Sequence, residues 1–313
     1  MCNLYTCVFL DMQKGRVIQS TGSWYKVKTQ VSLVQSRLSG KFRLDEKEVT
    51  NPIAVGDWVD ISINEDETGI IKYIHERSNY ITRKATHGRK GEHILVSNIN
   101  RAFVVQSVHK PKIKEGFIDR FLVTCEAYEV TPSIIINKMD LAQKNDGSYT
   151  KELKKLYESL GYAVFLTNAL DSESLVELRE LIKGNTTCFI GPSGVGKTSL
   201  LNAIDPQYSE KIGEISNYSN KGKHTTTFAK LIEIENGGFI VDTPGIREFG
   251  LVNIKPWELS LYFPEMLEAR TLCKFNNCTH IHEPGCKVIA AYEEGKIDTR
   301  RYHSYINMLK SIQ

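Results

Sequence analysis

The order of three short motifs limits what this chain can fold into more than any other feature. Asn137-Lys138-Met139-Asp140 precedes Gly191-Pro192-Ser193-Gly194-Val195-Gly196-Lys197-Thr198, and Asp242-Thr243-Pro244-Gly245 follows both. The second run is a phosphate loop, in which glycines let backbone N–H groups converge on phosphate oxygens and a lysine adds a point charge. In a domain of the usual connectivity that loop comes first and the Asn-Lys-x-Asp run comes late. Here every part is present, but the chain enters the domain in its middle. The fold must therefore be a circularly permuted nucleotide-binding domain.

The surrounding pattern supports that reading. Residues 102–106, 133–136, 165–166 and 187–190 are short apolar strands. Between them, Phe117, Ile118, Phe121, Leu122 and Cys125 recur at helical spacing, as do Leu153, Leu156, Tyr157 and Leu160, then Leu175, Leu178, Leu181 and Ile182. A hairpin over 231–234 and 239–241 leads to Asp242. Strands alternating with helices predict a mostly parallel sheet covered on both faces, spanning residues 101–250. Residues 14–75 read as close-spaced short strands broken by glycines. That suggests a small barrel, although a small sandwich has the same spacing. Residues 76–100 hold Arg77, Arg83, Lys84, His87, Arg89 and Lys90 and read as a basic linker or loop, either a solvated surface or a nucleic-acid contact. Residues 251–313 read as a small α-helical domain around a metal. Residues 1–13 are an extension of unknown role. No basic segment precedes the apolar run at 4–10, so a signal peptide is not expected.

The motif residues have separable tasks. The candidate phosphate ligands are Gly191, Ser193, Gly194, Val195, Gly196, Lys197, Thr198 and Ser199. Lys197 would meet the β- and γ-phosphates, and the Thr198 hydroxyl would ligate Mg²⁺. The helix that follows adds its N-terminal dipole. An Asp140 carboxylate can accept two N–H bonds from guanine, a donor pair adenine lacks, which selects GTP and GDP over adenine nucleotides. Asn137 can bond the purine edge and the loop, and the stem of Lys138 can pack on the base. The Thr167-Asn168-Ala169 turn can offer backbone N–H to the guanine oxygen. Asp242 would hold Mg²⁺ through a water, and the Gly245 N–H would meet the γ-phosphate. One threonine of Thr225-Thr226-Thr227 would complete the Mg²⁺ shell, and spacing does not choose between Thr225 and Thr226. Ile246 stands where a Ras-like enzyme carries a water-orienting glutamine. His224 is the nearest replacement, unless it is only an exposed loop residue.

A second centre lies near the C-terminus. Cys273-x4-Cys278-x-His280-x5-Cys286 gathers three sulfurs and one nitrogen, the donor set of a closed structural zinc site; His282 is a rival nitrogen ligand. The other cysteines, Cys2, Cys7, Cys125 and Cys188, are scattered, which suits buried thiols in a reducing compartment. Net charge is +3, and no apolar run reaches the ~18 residues of a membrane helix. No membrane partner is expected, and the chain is expected to act as a monomer.

The permuted order, the Gly222-Lys223-His224-Thr225-Thr226-Thr227 run, the zinc spacing and Pro52-x2-Val55-Gly56-Asp57-Trp58-Val59 together resemble the RsgA (YjeQ) family of circularly permuted small-ribosomal-subunit GTPases. The resemblance runs from about residue 14 to the C-terminus. It implies three domains: an OB-type β-barrel, a permuted P-loop GTPase, and an α-helical zinc domain. It implies GTP hydrolysis in late maturation of the small subunit, stimulated by the ribosome, in the bacterial cytoplasm. It also makes His224 catalytic and Thr226 the Mg²⁺ threonine. Lys223 departs from the family's usual arginine, and Thr167-Asn168-Ala169 from its usual Ser-Ala. Trp24, Tyr25 or Trp58 would stack on ribosomal RNA bases, with Trp58 expected rather in the core. A rival reading is a nucleotide-gated rRNA-binding assembly factor in which hydrolysis is secondary. The motif order suggests the wiring: Gly245 leads through residues 246–251 into the zinc domain, so losing the γ-phosphate should re-aim that domain.

Overall fold

A computed structural model describes residues 12–40, 52–84, 92–143, 146–209, 229–235, 237–242 and 254–312. The chain forms two units. The first draws on residues 1–100, 182–188 and 207–246, and the second on 101–181, 189–206 and 247–313.

In the first unit, β1 (Met12–Ser20), β2 (Tyr25–Thr29), β3 (Leu33–Leu38), β4 (Trp58–Ile63) and β5 (Gly69–Ile74) are joined in the order β1-β2-β3-β5-β4. β4 then pairs back onto β1, from Met12–Ser62 to Arg16–Trp58, and the sheet closes into an OB-like barrel rather than a sandwich. Closure leaves no strand edge to aggregate. The period-2 rule is visible in β2: Tyr25, Val27 and Thr29 are buried, while Lys26 and Lys28 are not. Tyr25 and Val27, with Val17, Val34, Ile53, Val59, Ile61 and Ile71, fill the barrel. Trp58, expected in the core, is 38% exposed. Its neighbours Val59 and Ile61 set the register, Val59 pointing inward, so Trp58 must point outward. Arg16, its cross-strand partner, lies over the ring at 5.3 Å.

Residues 76–100, read from charge as a loop, contain an antiparallel pair, β6 (Tyr80–Lys84) and β7 (Glu92–Ser97). Ile81, Ile94, Leu95 and Val96 are buried there. Their apolar content was masked by the basic residues between them. This pair is tied to the barrel by the Val-Gly-Asp-Trp segment. Asp57, fully buried, accepts from Arg77 Nε and Nη2 at 2.7 Å each, from Ser97 Oγ at 2.6 Å and from Ala54 N at 2.8 Å. Gly56 has φ +99°, and a Cβ there would lie 2.1 Å from the Ser97 carbonyl oxygen. Only glycine permits both the positive φ and that approach. Arg16 donates to Gly56 O, Asn98 O and Thr186 Oγ1. Burial lowers its pKa to about 10, against the pull of Asp57.

Thr186 opens β11 (Thr186–Ile190). β11 pairs in parallel with β13 (Phe239–Asp242), and β13 pairs antiparallel with β12 (Lys230–Glu233). β12 also meets the barrel, at Gln19–Lys230.

The second unit holds β8 (Arg101–Ser107), β9 (Thr131–Asn137) and β10 (Ala163–Leu166), all parallel with β9 in the middle. In β9, every residue from Ser133 to Asn137 is buried, the continuous run that a strand covered on both faces requires. The connecting helices are α1 (Glu115–Ala127), α2 (Asp146–Ser159) and α3 (Val176–Ile182); α4 (Lys197–Ile204) follows β11.

The same unit carries the C-terminal helices α5 (Leu267–Thr271), α6 (Lys287–Glu293) and α7 (Thr299–Ile312). In α7 the residues Tyr302, Tyr305, Met308 and Leu309 fall on one helical face and are buried. They pack with Leu259, Phe263, Met266, Val288 and Val123, the last of which belongs to α1. The C-terminal segment thus shares its core with the nucleotide domain.

Candidate nucleotide site and metal centre

The second unit brings the guanine tetrapeptide onto the phosphate loop. β9 ends at Asn137, which is 1% exposed, and its Nδ2 donates to Val195 O at 3.1 Å. Its Oδ1 accepts from Thr167 Oγ1 at 3.0 Å. Asn137 therefore pins two loops at once, and its buried amide is paired at both ends. Lys138, at φ +62°, donates from Nζ to Gly194 O at 2.5 Å and to Lys110 O at 3.0 Å. Asp140 follows in the short 3-10 turn Met139–Leu141 with its side chain exposed, open to a ligand.

Gly196 explains why the phosphate loop needs glycine. Its φ is +91°, and a Cβ would stand 2.6 Å from Asn137 Nδ2. The loop then turns into α4, whose N-cap Gly196 offers no side-chain cap to the first-turn N–H groups. Those donors point toward the anion position that a helix N-terminus favours. Lys197 Nζ lies over the loop, donating to Gly191 O and Pro192 O at 2.8 Å each. Ser193, Thr198 and Ser199 are exposed.

Of the remaining candidates, Asn168 N already donates to Ser174 Oγ at 3.0 Å, a partner six residues away that no motif marks. Asp242 closes β13 in the first unit and faces Lys230 across the β12–β13 pair. Burial raises the Asp242 pKa and lowers that of Lys230, each opposing the other's shift. His224, Thr226 and Gly245 lie outside the described residues, as do Lys223 and Ile246.

The metal-ligand set is assembled. One atom each from Cys273, Cys278, His280 and Cys286 lies within 4.8 Å of every other. Cys273 Sγ is 3.9 Å from Cys286 Sγ and 3.7 Å from His280 Nδ1; His280 Nδ1 is 3.3 Å from Cys286 Sγ. A tetrahedral ion with ~2.3 Å metal–sulfur bonds sets neighbouring sulfurs about 3.8 Å apart, so the donors fit such an ion. His280 turns its other nitrogen to Ser260 Oγ at 3.1 Å, the kind of contact that fixes a ligand's tautomer. Burial lowers His280 to about 4, keeping the imidazole neutral as a ligand must be. Burial pushes the Cys278 thiol up to about 12, which a bound cation would reverse. His282 lies outside the set among the described residues; its backbone N–H donates to Glu283. Ser260 had no signature in the sequence, since it stands twenty residues before its partner.

The model of the RsgA GTPase family matches residues 74–252, and that of the RsgA N-terminal domain matches residues 14–71. The chain belongs to the RsgA GTPase family. It is a GTP hydrolase of circularly permuted order. The small ribosomal subunit biogenesis GTPase RsgA of Phocaeicola vulgatus is 45% identical over 95% of this chain and 96% of its own length. That of Bacteroides fragilis is 44% identical over the same shares. Two solved structures are similar throughout. YjeQ from Thermotoga maritima has a TM-score of 0.79 at 33% identity, covering 96% of this chain and 98% of its own. YloQ, described as a circularly permuted GTPase, has 0.76 at 31%, covering 97% and 96%. Guanine nucleotide is the ligand this membership implies. Among the described residues, no helix is long and apolar enough to cross a membrane.

Proposed function

We propose that this chain binds the small ribosomal subunit in the cytoplasm and hydrolyses GTP to GDP and phosphate during late subunit maturation, stimulated by that subunit. The observation that carries the nucleotide part is the pinning of Asn137 and Lys138 onto the phosphate loop at Val195 and Gly194. The subunit part is supported by the names of relatives similar over nearly the whole chain.

In this reading Asp140 accepts the two guanine donors and the Lys138 stem covers the base. Ala169 supplies the N–H to the guanine oxygen, since Asn168 is engaged with Ser174. Backbone N–H groups from Gly191 to Ser199 hold the phosphates, with Lys197 leaving its loop carbonyls for them. Thr198 and Thr226 ligate Mg²⁺, Asp242 holds it through a water, and Gly245 senses the γ-phosphate. His224 replaces the missing glutamine in orienting the attacking water. One zinc ion, held by Cys273, Cys278, His280 and Cys286, orders the C-terminal domain and takes no part in the chemistry. The barrel grips ribosomal RNA, using Trp24 beneath Arg37, which lies 3.8 Å from the ring centroid, and the exposed Trp58.

Co-sedimentation with purified small subunits tests the binding. More chain should pellet with a non-hydrolysable GTP analogue than with GDP. Equal or absent pelleting in both states contradicts the reading.

A further inference from the structure

Three contacts in the second unit connect the metal loop to the nucleotide loops by way of α1. First, α7 holds the ligand loop: Tyr302 Oη donates to His280 O at 2.7 Å, and Tyr305 Oη to Thr279 O at 2.8 Å. Second, α7 is joined to α1 by a buried ion pair. Arg301, 1% exposed, donates from Nη1 to Asp119 Oδ1 at 2.6 Å and from Nε to Glu265 Oε1 at 2.6 Å. The same Asp119 oxygen accepts from Tyr157 Oη of α2 at 2.8 Å. Third, the segment leading into α1 lies on the nucleotide loops. Val108 N donates to Asn137 O at 3.0 Å. Lys110 O accepts from Lys138 Nζ, the amine that also reaches Gly194 O. A Cβ on Gly194 would meet the Pro111 ring at 3.8 Å.

We infer that Asp119 and Arg301 are positioning residues that link metal occupancy at the Cys273/Cys278/His280/Cys286 centre to guanine-nucleotide affinity at the phosphate loop. The inference rests on the nucleotide-site reading above. A buried charge pair with hydrogen bonds on both partners tolerates little movement, because separating it leaves charges unpaired in a medium of low dielectric. Ordering of the metal loop therefore orders α7. The ion pair passes that order to α1, and residues 107–114 pass it to Asn137, Lys138 and Gly194. The route does not use the segment after Gly245. Linkage of this kind is reciprocal: zinc must change GDP affinity by the factor by which GDP changes zinc affinity.

The test uses the full chain with magnesium in excess. A fluorescent GDP is titrated into zinc-loaded chain and into chain treated with a zinc-selective chelator. Zinc affinity is measured by competition with a chromophoric chelator, with and without saturating GDP. The two ratios should agree, at about fivefold or more. In Arg301→Lys both should fall to within twofold of one while zinc still binds at one per chain. A Tyr302→Phe/Tyr305→Phe variant cuts the first contact without stranding a buried charge and should lower both ratios too. Equal GDP affinity with and without zinc in the unaltered chain overturns the linkage. So do undiminished ratios in the Arg301 and double-tyrosine variants. A zinc-loaded chain that binds no GDP at all removes the nucleotide-site reading, and the linkage with it.

Discussion

In the proposed site Asp140 is the residue on which the choice of base depends, and it stands exposed within the turn Met139–Leu141. Two charge-assisted hydrogen bonds at ~1.5–3 kcal/mol each are at stake. Asp140→Asn should therefore weaken GDP by about a hundredfold or more, read by fluorescent-nucleotide titration; affinity within threefold contradicts the assignment. His224→Ala makes the opposite split. Losing a water-orienting group costs about a hundredfold or more in turnover, while GTP affinity should hold within a few-fold. A parallel loss of binding would make His224 a ligand instead. At this scale, the sequence showed best those residues whose chemistry is local. The four candidate metal ligands fall within fourteen residues and come together as spaced. Ser260 and Ser174 act on His280 and Asn168 through the fold, so no spacing rule points to them.

Elements follow the same division. The β9 strand and the helices α1 to α3 were legible because burial on one or both faces writes a period into the sequence. The barrel's closure was not, because β4 pairing onto β1 depends on residues more than forty apart. The β6–β7 pair was hidden by basic residues, and Trp58 by the assumption that a large aromatic ring goes inside. Gly56 is where an element-scale prediction is sharpest. Gly56→Ala forces a Cβ against Ser97 O at a φ of +99°. It should cost about 2–3 kcal/mol, seen as a lower denaturation midpoint of the barrel by tryptophan fluorescence. An unchanged midpoint would mean that the Gly56–Ser97 approach is not rigid. In the proposed reading a metal orders the C-terminal helices. Chelation should remove about one zinc per chain and reduce far-ultraviolet helix signal, and Cys273→Ser should mimic it without chelator. Helix signal indifferent to both would show that the apolar core around Tyr305 and Phe263 suffices by itself.

For the molecule as a whole, permutation places the guanine strand early and Asp242 late, with the metal-bearing segment beyond it. Motif order alone suggested that this segment swings when the γ-phosphate leaves. Val123, Asp119 and Arg301 alter that picture, since the C-terminal helices share a buried cluster with α1 and are joined to it by a buried ion pair. In the proposed mechanism Ile246 stands in place of the water-orienting glutamine and His224 takes over its task, so turnover is expected to be slow until the subunit is bound. The most direct measurement is GTP turnover by the purified chain, alone and with increasing small ribosomal subunits. Turnover should be low alone, rise to a plateau as subunits saturate the chain, and stay low throughout in His224→Ala. Turnover that is the same with and without subunits contradicts the proposed function.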